Sequence, residues 1–95
     1  MDVRLDGRKA LITGGSQGLG LAVGKRFADS GGDVVIFARR EDLLAEARAE
    51  IEAVADGGKV AAFSCDVSDA TAIAETYAKV QAEFGEIDIL VNNAG

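Results

Sequence analysis

Histidine and proline are both absent from this sequence, and cysteine and tyrosine occur once each. The lack of histidine removes the commonest general base and the commonest metal ligand together. With Cys65 alone, neither a disulfide framework nor a thiolate metal cluster can form within the chain. Positive charge is scarce too: 10 Lys and Arg stand against 16 Asp and Glu, a formal net charge of −6. That balance argues against nucleic acid, whose usual footprint is a basic face. A phosphate ligand would have to be held by local groups against the overall field. No apolar run approaches the length of a membrane span, and the opening MDVRLDGRKA carries no secretory pattern. The expected setting is therefore the cytoplasm, with no membrane partner and no metal. No function attaches to the missing proline.

What remains is a chain of 95 residues, 48% hydrophobic, which is globular rather than disordered. It makes one small domain, 1–95, with a marginal core in which a missing partner layer would be felt. Lys9 to Thr13 reads as a buried strand, followed by a glycine turn and a helix carrying Leu19, Ala22, Val23 and Phe27 at helical spacing and ending at Ser30-Gly31-Gly32. Asp33 to Phe37 is a second strand, rich in β-branched residues. A helix follows over Glu41 to Ala55, with Leu44, Ala47, Ile51 and Val54 on one stripe, and Lys59 to Phe63 is a third strand. Ser68 is the N-cap candidate of a third helix, which carries Ile73, Tyr77, Val80 and Phe84 and stops at Gly85. Glu86 to Val91 is the fourth strand.

The alternation predicts an α/β fold: a Rossmann-like, doubly wound parallel sheet of four strands in the order 3-2-1-4 with three helices. Right-handed crossovers put the first two helices on one face and the third on the other. Strand 4 is then a bare edge, without the charge or proline that normally blunts one.

The stretch KALITGGSQGLG, Lys9 to Gly20, organises the rest. A strand reversing into a helix needs positive φ, and a diphosphate must approach the main chain more closely than a Cβ allows, so glycine suits both demands. Free N–H groups at the helix start would face the anion. The spacing is Gly14-x3-Gly18-x-Gly20, with Ser16 where the general dinucleotide fingerprint wants its second glycine. A P-loop is excluded, because Leu19 takes the first glycine position and Arg26 follows Lys25.

Thr13-Gly14-Gly15-Ser16-Gln17-Gly18-Leu19-Gly20, then Asp66-Val67 after the third strand, then Asn92-Asn93-Ala94-Gly95 after the fourth, resemble the short-chain dehydrogenase/reductase family in its classical type. The resemblance covers essentially the whole chain but only the first part of the family's pattern, so it implies a truncated NAD(P)-binding domain without the catalytic segment. By that resemblance, the turn residues Gly14, Ser16, Gln17, Gly18, Leu19 and Gly20 would hold the cofactor pyrophosphate. Asp66 would accept from the adenine amino group, with the Val67 main chain beside it. Asn92 would lie near the adenosine ribose, Asn93 would brace the strand end, and Ala94 and Gly95 would line the cofactor's path.

An NAD-preferring site places an acid at the end of strand 2, but here stands Ala38, followed by Arg39 and Arg40. A guanidinium–phosphate bond is worth about 1.5–3 kcal/mol, so NADP(H) is expected over NAD. The other reading of the arginines is a solvated charge cluster at a helix start. Hydride transfer between nicotinamide and a carbonyl or alcohol substrate is the reaction the resemblance implies. No catalytic residue can be placed: Tyr77 is followed four residues later by Gln81, where the family has lysine, and is expected to be a core or boundary residue. Cys65 is expected to be a buried, inert thiol. The 95-residue chain is therefore not expected to be active. The alternative is a non-catalytic nucleotide-binding or subunit-interaction module that associates with a second copy or another chain through the strand 4 edge. A methyltransferase-type domain is disfavoured by Ala38, where an acid would bind ribose.

Overall fold

A computed structural model of the chain describes residues 4–14 and 16–93; Ala94 and Gly95, given roles above, and Gly15 of the turn lie outside the described residues. The elements in order are β1 (Lys9–Thr13), α1 (Gly18–Asp29), β2 (Asp33–Ala38), α2 (Glu41–Val54), β3 (Val60–Ser64), α3 (Ala70–Phe84) and β4 (Ile89–Asn92). The four strands form one parallel sheet in the order β3-β2-β1-β4. The inner strands are apolar and buried over Ala10–Ile12 and Val34–Ala38 because both of their faces are covered there. Ala10, Ile12, Val34, Ile36 and Ala38 meet Phe27 and Ala28 of α1 and Leu44, Ala47 and Ile51 of α2. Leu11, Val35 and Phe37 point the other way, against Val80 and Phe84 of α3 and the buried Cys65.

Most boundaries agree with the sequence reading, and three details differ. The fourth strand begins at Ile89 rather than Glu86. Asp88 instead clasps the start of β1, its N–H donating to Lys9 O at 2.9 Å and its Oδ2 accepting from Lys9 N–H at 2.9 Å.

The buried face of α1 is only partly the one the apolar spacing marks: Phe27 is buried and Val23 packs against the core, as expected. Leu19 is 70% exposed and Ala22 is exposed, while Gly20, Gly24, Phe27 and Ala28 are buried. The helix turns Gly20 and Gly24 inward, where there is little room for side chains. A Cβ on Gly24 would stand 3.1 Å from Ile51 Cδ1 and 3.4 Å from Ile12 Cδ1.

The N-cap of α3 is Asp69, not Ser68. The Asp69 carboxylate accepts from Thr71 N–H at 2.9 Å and Ala72 N–H at 3.3 Å, satisfying two donors that the first turn would leave open. Ser68 is thereby released for another partner.

The two outer strands are less covered than the inner ones. In β4, Ile89 is 39% and Leu90 64% exposed.

Candidate functional site

The carboxyl ends of all four strands lie along one side of the sheet, the side where open α/β sheets bind ligands. At the end of β1, Gly14 turns the chain with φ 70° and Gly18 opens α1 with φ 56°, both in the left-handed region that side chains resist. The turn is pinned to β2 by the Gly14 N–H, which donates to Phe37 O at 2.8 Å. Gln17 is the N-cap of α1 in extended conformation; its side chain makes no capping bond, and the first turn carries no acid. The helix thus presents its leading N–H groups and the positive end of its dipole without a local anion to neutralise them. Ser16 is half-buried, and Gln17, Gly18 and Leu19 are exposed at this mouth.

The end of β4 closes over the same turn. Asn93 donates from its N–H to Thr13 O at 3.2 Å and from its side-chain amide to Gly14 O at 3.4 Å. The buried Thr13 hydroxyl donates to Asn92 Oδ1 at 3.1 Å. Asn93 therefore braces the strand end, as expected, while Asn92 is exposed and faces Thr13. Gly20 completes the contact: a Cβ there would stand 2.5 Å from Gly14 O and 2.8 Å from Asn93 Nδ2.

Beyond β2 and β3 the charged residues separate. Arg40 turns to the first turn of α2 and pairs with Asp42 at 2.8 Å, which holds the Asp42 carboxyl below its ordinary range. Arg39, 78% exposed, reaches the other way, its Nη2 lying 3.6 Å from Asp66 Oδ2. Arg39 and Asp66 are thus brought together, and Arg40 is not part of that group. Asp66 Oδ1 accepts from the Ser68 hydroxyl at 2.6 Å and the Ser68 N–H at 3.0 Å. The Ser68 bonds hold the Asp66 carboxyl below its ordinary range against the opposing effect of burial, and the Arg39 charge adds the least.

Val67 lines a mostly apolar cavity of about 190 Å³ between α3 and β4, together with Leu11, Thr13, Ile73, Tyr77, Leu90 and Asn92. Tyr77 is one half-buried wall of that cavity, and Lys79 and Gln81 are exposed on the same helix. Cys65 is buried and free. Among the described residues there is no cluster of three or more potential metal ligands, and no helix is long and apolar enough to cross a membrane.

The sequence reading gave Ser64 no role and took Ser68 only as a helix cap, because what each serine bonds to depends on what the strand ends bring near. Ser64 Oγ–H donates to Arg39 O at 3.2 Å. The Asp66-x-Ser68 spacing, a frequent side-chain turn, is the signal that could have found the second.

A family model described as short chain dehydrogenase matches residues 8–95. The chain is 42% identical over 89 residues to a fatty acyl-CoA reductase of Acinetobacter baylyi, covering 94% of this chain and 30% of that protein. It is also 42% identical over 96 residues to the D-threitol dehydrogenase of Mycolicibacterium smegmatis, covering 99% of this chain and 35% of the relative. The crystal structure of L-sorbose reductase from Gluconobacter frateurii complexed with NADPH and L-sorbose superposes with a TM-score of 0.91 at 39% identity, over 100% of this chain and 36% of that one. An NAD+-bound xylitol dehydrogenase superposes with a TM-score of 0.89 at 32% identity, over 95% of this chain and 34% of that one. The chain spans about a third of the length of the relatives it matches.

Proposed function

Since this chain belongs to the short-chain dehydrogenase family, we propose that its 95 residues form the NADP(H)-binding domain of an oxidoreductase acting on a carbonyl or alcohol. The observation that carries the reading is the uncapped, acid-free start of α1, set at the strand ends beside a guanidinium that no acid from β2 neutralises. In this reading the backbone from Gly14 to Gly20, with Ser16, Gln17, Gly18 and Leu19 between, receives the pyrophosphate. Asp66 takes the adenine amino group, the Val67 main chain lies alongside, Asn92 lies near the adenosine ribose, and Ala94 and Gly95 continue the path towards the nicotinamide. Arg39 takes the 2′-phosphate, while Arg40, paired with Asp42, contributes less than the sequence suggested. The donor set fits such a ligand: main-chain N–H groups and arginine suit phosphate, and a carboxylate suits an amino donor.

The nicotinamide, when bound, gives or accepts the hydride. In this reading the chain's own residues bind and orient the nucleotide, and the proton-transferring group that the reaction needs is supplied from elsewhere. Similar proteins occur with either cofactor, NADPH in the sorbose reductase and NAD+ in the xylitol dehydrogenase. The preference assigned here therefore rests on Ala38 and Arg39.

Calorimetry on the folded chain tests it. NADPH is expected to bind about tenfold or more tightly than NADH, and Arg39→Gln to abolish that difference while leaving NADH within about twofold. Absence of heat with NADPH, NADH and ADP-ribose on a demonstrably folded sample would overturn the reading. The exposed Ile89 and Leu90 on the β4 edge favour a second role, association through that edge with further β-structure.

A further inference from the structure

The two oxygens of Asp66 are used differently. Oδ1 is held by two bonds from Ser68, at 2.6 Å from the hydroxyl and 3.0 Å from the N–H. Oδ2 faces Arg39 Nη2 at 3.6 Å, beyond hydrogen-bond reach. The Ser68 hydroxyl is free for this because Asp69, not Ser68, caps α3. On the other side, the Arg39 backbone is fixed: Cys65 N–H donates to Ala38 O at 2.9 Å, and the Ser64 hydroxyl donates to Arg39 O at 3.2 Å. Only the arginine side chain is left to move.

A guanidinium prefers a carboxylate that offers both oxygens to its fork, and such bidentate pairs are the strong ones. With Oδ1 occupied, Asp66 offers one oxygen, and the pair stays long and exposed. Exposed pairs of this kind are weak, so a phosphate monoester can take the arginine from it.

We propose that Ser68 is a positioning residue for nucleotide selectivity: by holding Oδ1 of Asp66 it keeps Arg39 loosely tethered and available to the 2′-phosphate of an adenine nucleotide. When that phosphate draws Arg39 away, Oδ2 is left facing the adenine. A nucleotide without the 2′-phosphate offers nothing to draw the arginine off. This rests on the nucleotide-binding reading above.

The probes are 2′,5′-ADP and 5′-AMP, titrated calorimetrically into the 95-residue chain. Ser68→Ala leaves the Asp69 cap in place, so the fold should hold. It is expected to weaken 2′,5′-ADP about three- to tenfold more than 5′-AMP, because Asp66 Oδ1, then held only by the backbone N–H of residue 68, is freer to turn with Oδ2 onto the guanidinium. Ser68→Thr keeps a hydroxyl and should restore the wild-type ratio. In an Arg39→Gln background, Ser68→Ala should leave the ratio unchanged. An unaltered ratio in Ser68→Ala, an equal loss on both probes, or an undiminished effect without Arg39 would each overturn the inference while leaving the nucleotide-binding reading intact. If the wild-type chain binds neither probe, both fall.

Discussion

Replacing Gly20 by alanine isolates the contact on which the turn depends. The added Cβ would stand 2.5 Å from the Gly14 carbonyl oxygen, 3.1 Å from its carbon and 2.8 Å from Asn93 Nδ2. The first two are backbone atoms of a turn already tied to β2 by the 2.8 Å bond from Gly14 N–H to Phe37 O, so they have little freedom to withdraw. Overpacking of this kind costs about 1–3 kcal/mol. Alanine recovers at most about 1 kcal/mol of helix propensity, and less at the third residue of a helix than in its interior. Displacing Asn93 from Gly14 O removes a further ~0.5–1 kcal/mol. The net loss is about 1–3 kcal/mol, which lowers the melting temperature of a chain this size by about 5–20 °C. Gly24→Ala, one turn later, provides the contrast. Its Cβ meets side-chain atoms and no backbone among its nearest neighbours, Ile51 Cδ1 at 3.1 Å, Ile12 Cδ1 at 3.4 Å and Val34 Cγ1 at 3.6 Å, so the helix gain and the crowding nearly cancel. Thermal melts followed by circular dichroism, with nucleotide titration of each variant, give the comparison. Gly20→Ala should melt well below wild type and lose tenfold or more in nucleotide affinity, and Gly24→Ala should do neither. Equal melting of the two variants would refute the packing argument.

Three other outcomes are expected. Asp69→Ala removes the acceptor of two first-turn N–H groups and should cost about 1 kcal/mol, read by urea unfolding, with Ser68→Ala costing less; the reverse order would return the cap to Ser68. The Asp66 carboxyl, followed by carbon NMR, should titrate below its ordinary 3.8, because Ser68 and then Arg39 favour the charged form. The stabilisation linked to it is therefore complete above the unfolded-chain range and is lost as pH falls through the folded value, and Ser68→Ala should move the midpoint back up. Leu90→Lys, at a side chain 64% exposed, should leave the melting temperature nearly unchanged and suppress any concentration-dependent association seen by light scattering; an unchanged association would place that contact elsewhere.

The fold was legible because its signals are local and agree with one another. Val34, Val35, Ile36 and Phe37 can only be a strand covered on both faces, and right-handed crossovers then leave one arrangement for the helices. The face of α1 was legible only at Val23 and Phe27, since Gly20 and Gly24 carry no hydrophobicity and their burial follows from how closely Gly14, Ile12 and Ile51 approach. The α3 cap was ambiguous between Ser68 and Asp69, both good capping residues, and was decided by which one Asp66 engages. At the strand ends, Gly14, Asp66 and Asn93 could be marked from their motifs. The separation of Arg39 from Arg40 could not, because it depends on Asp42 and Asp66 competing for two neighbouring guanidinium groups.

Tyr77 is the single tyrosine of the sequence. It borders a small cavity whose other walls are mainly Leu11, Val67, Ile73 and Leu90, and no cation is near it in sequence at the spacing that would share its side of the helix. Lys79, two residues on, is exposed on another face. Half-buried among those side chains, Tyr77 packs α3 against the β4 side of the sheet. If the proposed reaction is right, every group donated by these residues acts on how the nucleotide is held. Substitutions at Gly20, Arg39, Asp66 or Ser68 should then change cofactor affinity and selectivity in any larger enzyme that includes this domain, while the ionisations that shape its pH–rate profile originate in residues outside it.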